Sequence, residues 1–163
     1  GWRDTHQEIV TYWKLIENVF KKAIRMPHRV YSVRDKIRVF NDGVNSYIIL
    51  PSGRHLCYPR AYIKGDKIHF WSNTELMDTY GGKLTENVTQ ATARDVMVEN
   101  IPFIESSGYE VVFSVHDELI TEVNDGTSHT HEELSSLLAT TLPWCRDLPL
   151  TAEGYETLRY RKE

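Results

Sequence analysis

The hydrophobic period of this chain first changes at Pro27, and that switch restricts the fold more than any other feature. Before it, Ile9, Trp13, Ile16, Val19 and Phe20 recur at helical spacing and mark one buried face. Residues 4–26 therefore predict a helix, started by Asp4 or Thr5, with Glu8 three residues past Thr5 in capping-box spacing. Lys14, Lys21, Lys22 and Arg25 fall mainly off the stripe and read as solvated surface, favourable against the C-terminal end of the helix dipole. Contact with a phosphate backbone is their functional alternative.

After Pro27 the runs become β-rich: 36–40, 46–50, 54–58 and 67–71, separated by Asn41-Asp42-Gly43, Pro51-Ser52-Gly53 and Lys64-Gly65-Asp66. Residues 47–58 read as a hairpin, and the whole as an antiparallel meander that needs a packed partner on its apolar face. A second helix is expected over 75–100, with Leu84, Val88, Ala91, Asp95 and Val98, joined by Thr92 and Val96, as its apolar and small stripe. A third is expected over 128–140 on Leu134, Leu137 and Leu138, ended by Pro143. Residues 148–155 read as a last edge strand, where Pro149 is tolerated. The expectation is an α+β fold, an antiparallel sheet with about three helices, the second and third covering one sheet face.

At 163 residues the chain has the length of one domain with a real core. No apolar run is long enough to span a membrane. Net charge is −4, which argues against a generic polyanion binder but leaves room for a local basic face. Cys57 and Cys145 lie far apart and suit a reduced intracellular protein without a disulfide framework or zinc site. His129 and His131 do not share a helix face and read as surface residues. The chain starts without Met or a secretory pattern, as a trimmed or processed piece of a longer protein would. Neither a Gly-rich phosphate loop nor a Ser-His-Asp or Cys-His arrangement occurs in it.

Chemistry concentrates in Phe113-Ser-Val-His-Asp-Glu-Leu-Ile-Thr-Glu-Val123, two short β runs around His116-Asp117-Glu118. Such a pattern predicts a hairpin with charges at its tip. Paired carboxylates repel unless a cation offsets them, and hard oxygen ligands of this kind suit magnesium. An ordinary solvated turn is the competing reading. On the second predicted helix, Lys83, Glu86, Asn87, Gln90 and Arg94 share roughly one face. They read either as a wet helix surface or as donors to nucleic-acid backbone and minor-groove acceptors.

Three stretches together resemble the palm of family A, Pol I-like, DNA polymerases in their bacteriophage form. Tyr80-Gly-Gly-Lys-Leu-Thr-Glu-Asn-Val-Thr-Gln-Ala-Thr-Ala-Arg-Asp95 resembles the long palm helix. Ser114-Val-His-Asp-Glu-Leu119 resembles the last catalytic signature. Leu148-Pro-Leu-Thr-Ala-Glu-Gly-Tyr155, followed by Arg159-Tyr-Arg-Lys162, resembles the C-terminal end of the phage members, and the Leu50-Pro-Ser-Gly-Arg54 hairpin also fits. The resemblance implies that Asp117 binds catalytic Mg2+, that Glu118 has a secondary part, and that His116 approaches the primer's terminal nucleotide. It further implies that Lys83, Asn87, Gln90 and Arg94 face DNA. The implied partners are primer-template DNA, deoxynucleoside triphosphates and the remaining polymerase segment, in the cytoplasm of a bacterium or phage-infected cell.

The family's other metal-binding Asp, in a signature like Asp-Tyr-Ser-x-Ile-Glu, has no counterpart here, and neither has the fingers helix that holds the nucleotide. Residues 1–26 resemble the segment just after that helix. The chain thus reads as a C-terminal palm portion with half of a two-metal site, inactive alone, whose exposed apolar surface can drive dimerisation. Two other readings compete. One is a non-catalytic DNA-binding module derived from a palm. The other is a metal-dependent nuclease or phosphohydrolase, for which Asp95, Glu122 and Asp125 face poorly as added ligands.

Overall fold

In the computed structural model, residues 1–160 are described, and they divide into two compact units, Gly1–Thr92 and a second beginning at Ala93. The fold is α+β, with four helices and antiparallel sheets only among the described residues.

The first unit opens with α1 (Trp2–Thr5) and α2 (Gln7–Arg25), not the single helix expected. The Thr5–Glu8 capping box does not form, because Thr5 closes α1 and His6 stands at the start of α2 without a side-chain cap bond. The Trp2 ring stacks on Trp13 and holds the first turn in place. Ile16, Phe20 and Ala23 of α2 are buried, but Ile9, in the first turn, stays 41% exposed.

Strands β1 (Val30–Val33), β2 (Ile37–Asn41), β3 (Ser46–Ile49) and β4 (His55–Tyr58) form a four-stranded antiparallel meander in sequence order. Val33, Ile37, Val39, Ile48 and Tyr58 point into the core, while Arg38 and His55 are exposed, the alternation a half-covered sheet requires. The covering layer is α2 together with Leu84 and Val88 of a later helix; the expected third helix belongs to the other unit.

Residues 67–71 do not join this meander. They lie in a separate three-stranded sheet of β5 (Tyr62–Lys64), β6 (Lys67–Ser72) and β7 (Glu75–Thr79). Residues 75–79, expected to be helical, are drawn into a strand by pairing with β6, Ile68 opposite Thr79 and Trp71 opposite Leu76. Asn73, in the left-handed region at φ 54°, makes the tight turn between them.

Helix α3 (Gly81–Ser106) starts where a second fold constraint is met. A Cβ at Gly81 would collide with the Trp13 carbonyl, so only glycine lets the two backbones approach. The Gly81 N–H donates to Glu17 Oε2 at 2.8 Å, so an acid from α2 satisfies an orphan amide at the positive end of α3. Glu17 also pairs with Lys21 at 2.7 Å, and Lys21 reaches Asp66 at 2.9 Å. Lys21 is therefore not solvated as expected: it is 5% exposed. Burial alone would lower its pKa, but the bonds to Glu17 and Asp66 outweigh that and hold it above the ordinary lysine value.

α3 does not stop at residue 100. It continues through Pro102 to Ser106, because Ile104 beyond the proline is fully buried. It ends at Gly108, φ 94°, with Gly108 N–H donating to the Glu105 carbonyl and Tyr109 N–H to the Ile104 carbonyl, a Schellman cap. Val98, expected in the apolar stripe, is 42% exposed.

In the second unit, Val96, Leu142 and Cys145 form a small core with Trp144 and Leu150 against it. Buried Asn100 donates to the carbonyls of Leu138 and Thr140 at 3.2 and 3.0 Å. The short helix α4 (His131–Leu138) begins later and ends earlier than expected, well before Pro143. Its cap is Thr130, whose Oγ1 accepts from Glu133 N–H. Leu134, Leu137 and Leu138 are half-buried. Residues 148–155 form no strand: Pro149 removes a donor, and no neighbouring strand among the described residues pairs with them.

Candidate functional site

The second unit also holds β8 (Glu110–Val115) and β9 (Glu118–Glu122), paired from Glu110 opposite Glu122 to Val115 opposite Glu118. The register slips between Val111 and Phe113, so Val112 sits at a bulge and the local twist increases. Only His116 and Asp117 lie between the strands, and Glu118 already belongs to β9. The polar triplet of the sequence is thus a two-residue turn plus the first residue of a strand.

His116 adopts φ 55°, left-handed backbone that a non-glycine residue occupies only at a cost of roughly 1 kcal/mol or more. The turn projects Asp117 into solvent, with His116 and Glu118 exposed beside it. Glu118 is already engaged: the Tyr160 hydroxyl donates to its Oε2 at 2.9 Å. The Tyr160 ring also packs edge-on against Phe113, with centroids 5.5 Å apart. That hydrogen bond holds the Tyr160 phenol above its ordinary pKa, since ionisation would set a phenolate against a carboxylate. Sequence reasoning missed Tyr160, because a tyrosine inside the basic run 159–162 reads as part of a solvated tail. Residues 161–163 of that tail lie outside the described residues.

Of the other expected site residues, Lys83, Asn87 and Gln90 lie in the part of α3 belonging to the first unit, and Arg94 in the part belonging to the second. All four are exposed. Asn87 Nδ2 donates to the Tyr58 hydroxyl at 3.1 Å, and Gln90 Nε2 approaches Glu86 Oε1 at 3.4 Å. The Asn87 bond is long-range and ties α3 to β4, so this side chain has a structural partner as well as an exposed edge. His129, expected at the surface, is half-buried on the Tyr109 ring, with Nε2 3.0 Å from the Ser107 carbonyl oxygen.

Chemically, the tip offers one uncommitted carboxylate, a second one held by a phenol, and an imidazole on strained backbone. No group of three His, Cys, Asp or Glu side chains suited to a metal occurs among the described residues. Hard oxygen donors in this number fit a magnesium ion that draws its remaining ligands from water, phosphate or another segment. They do not make a closed protein site.

No protein-family model matches the sequence, and no solved structure matches it. A phage protein does. The chain is 30% identical, over 174 aligned positions, to the DNA polymerase of Bacillus phage SP02, an alignment that takes in all of this chain and 26% of that protein. This chain is related along its whole length to a phage DNA polymerase. It spans about a quarter of that polymerase's length. No helix among the described residues is long and apolar enough to cross a membrane.

Proposed function

We propose that the chain is the C-terminal palm portion of a bacteriophage-type family A DNA polymerase and contributes one carboxylate of its magnesium site. The observation that carries this reading is the whole-length relation to the phage polymerase. The exposed Asp117 at a hairpin turn supplies the chemistry such a site needs. Asp117 would hold Mg2+, with Glu118, engaged by Tyr160, in a supporting part. When bound, the metal would supply positive charge against the phosphate oxygens and the attacking primer hydroxyl.

The chain's own residues would do the positioning on which phosphoryl transfer depends. His116 would contact the primer end, and Lys83, Asn87, Gln90 and Arg94 would offer donors to the duplex backbone and minor groove. Primer-template DNA, deoxynucleoside triphosphates and the remaining polymerase segment are the partners in this reading. Val112, Phe113 and Val123 expose apolar surface on and beside the hairpin, suited to cover by that segment or, without it, by a second copy.

Since the sequence holds one of the two metal-binding signatures and no fingers helix, the isolated chain should not extend a primer. In a primer-extension assay with magnesium and all four nucleotides, it should give no product. Addition of a segment carrying the earlier carboxylate strand and the fingers should restore synthesis. Robust extension by the isolated chain, or none from the reconstituted pair, counts against the reading. A non-catalytic duplex-binding module is the second reading, favoured if salt-dependent duplex binding persists without magnesium and without Asp117 while reconstitution fails.

A further inference from the structure

The sheet of β5, β6 and β7 carries a second, differently built surface. Its inward side is Ile63, Ile68 and Thr79. The registers place Tyr62 opposite His69 and His69 opposite Asp78, Lys64 opposite Lys67, and Trp71 opposite Leu76, all on the outward side. Tyr62 stacks on His69 with centroids 5.4 Å apart, and the Arg60 guanidinium lies 4.9 Å from the centre of the Trp71 ring. Tyr62, Lys64, Lys67 and Leu76 are exposed, and His69 and Trp71 are half-buried. Arg60, Lys64 and Lys67 give three cations against the one acid Asp78 on this face, although the chain as a whole is net negative. Neither Lys64 nor Lys67 has an ion pair among the described residues.

A solvated sheet face made for stability alone pairs opposite charges across strands, and like charges directly opposite, as at Lys64 and Lys67, are destabilising. Cations beside aromatic rings on an open sheet are instead the arrangement that holds a single nucleic-acid strand: the cations follow the phosphates and the rings stack on unpaired bases. We propose that this face binds single-stranded DNA, with Lys64, Lys67 and Arg60 on the backbone and Trp71 and Tyr62 against bases. The proposal goes beyond the polymerase reading and does not depend on Asp117.

The test is fluorescence anisotropy of a labelled oligothymidylate titrated with the full chain at several salt concentrations. Binding should weaken with salt. The pair Lys64→Glu with Lys67→Glu should bind at least about tenfold more weakly, and its salt slope should fall by about 1.4, roughly 0.7 for each phosphate left without its lysine. Trp71→Ala should lose about 5- to 100-fold. Asp117→Ala should bind like the parent, so a failed polymerase reading leaves this result intact. A duplex of the same length should compete poorly, because its bases cannot lie on the rings. Circular dichroism checks that the variants are folded, and the two lysines are exposed, so their exchange leaves the core alone. No binding by the parent chain, or parental affinity in both the lysine and the tryptophan variants, overturns the proposal.

Discussion

At the scale of single residues, the hairpin tip concentrates features that stability does not explain. A left-handed His116 and a projecting Asp117 are both expendable to a hairpin, for which glycine at the first turn position is easier. His116→Gly should therefore leave unfolding free energy unchanged or raise it by up to about 1 kcal/mol. In the reconstituted polymerase it should slow primer extension about tenfold. Urea denaturation and the extension rate, measured on the same preparation, check both halves; a destabilised variant with normal activity would reverse the assignment. Tyr160→Phe keeps the ring against Phe113 and removes only the bond to Glu118. Absorbance titration should find the raised phenol return toward the ordinary tyrosine value in Glu118→Gln, whose amide oxygen still accepts but carries no charge.

At the scale of elements, the join between α2 and α3 is the most constrained feature of the first unit. Gly81→Ala forces Trp13 or the start of α3 to shift, and overpacking against backbone should cost about 1–3 kcal/mol in chemical denaturation. Lys21→Ala leaves Glu17 without its partner while Glu17 still caps α3, and should cost about 2 kcal/mol, less than a fully buried pair because Asp66 is exposed. The folded-state pKa of Lys21 lies above the unfolded value, near 10.5. Its contribution is therefore full below that pH and lost as pH rises through the folded value. Denaturation curves should lose the difference between parent and Lys21→Ala at strongly alkaline pH and keep it at pH 7.

The same elements separate what the sequence revealed from what it hid. The 47–58 hairpin was legible because Pro51-Ser52-Gly53 can only turn. The strand at β7 was not, since Glu75-Leu-Met-Asp-Thr79 reads as helix next to Gly-Gly and only its pairing with β6 overrides that. Lys21 looked solvated because Asp66, 45 residues away, and the burial that α2 meets at this position are invisible to periodicity. Pro102 hid the last turn of α3 for a similar reason: the burial of Ile104 that sustains it is tertiary.

At the scale of the whole molecule, the candidate site was legible as a local motif and little else. Two β runs around three polar residues specify a hairpin tip, and an exposed Asp117 at a turn follows from sequence. The long-range bond from Tyr160 to Glu118 does not, because it joins segments 42 residues apart with no periodic signal. Nor did the sequence show the division into two units, whose boundary falls inside the continuous helix α3. The hairpin is two-stranded, with no fully buried residue, and such a ribbon is marginal by itself. In the proposed reading, cover by another polymerase segment would account for that exposure. The most direct measurement is the rate of single-nucleotide addition by the reconstituted protein with Asp117→Ala, beside Glu118→Gln. A charge contribution of several kcal/mol predicts a loss of about 1000-fold or more for Asp117→Ala and a much smaller one for Glu118→Gln. A rate within about tenfold of the parent for Asp117→Ala would contradict the central claim.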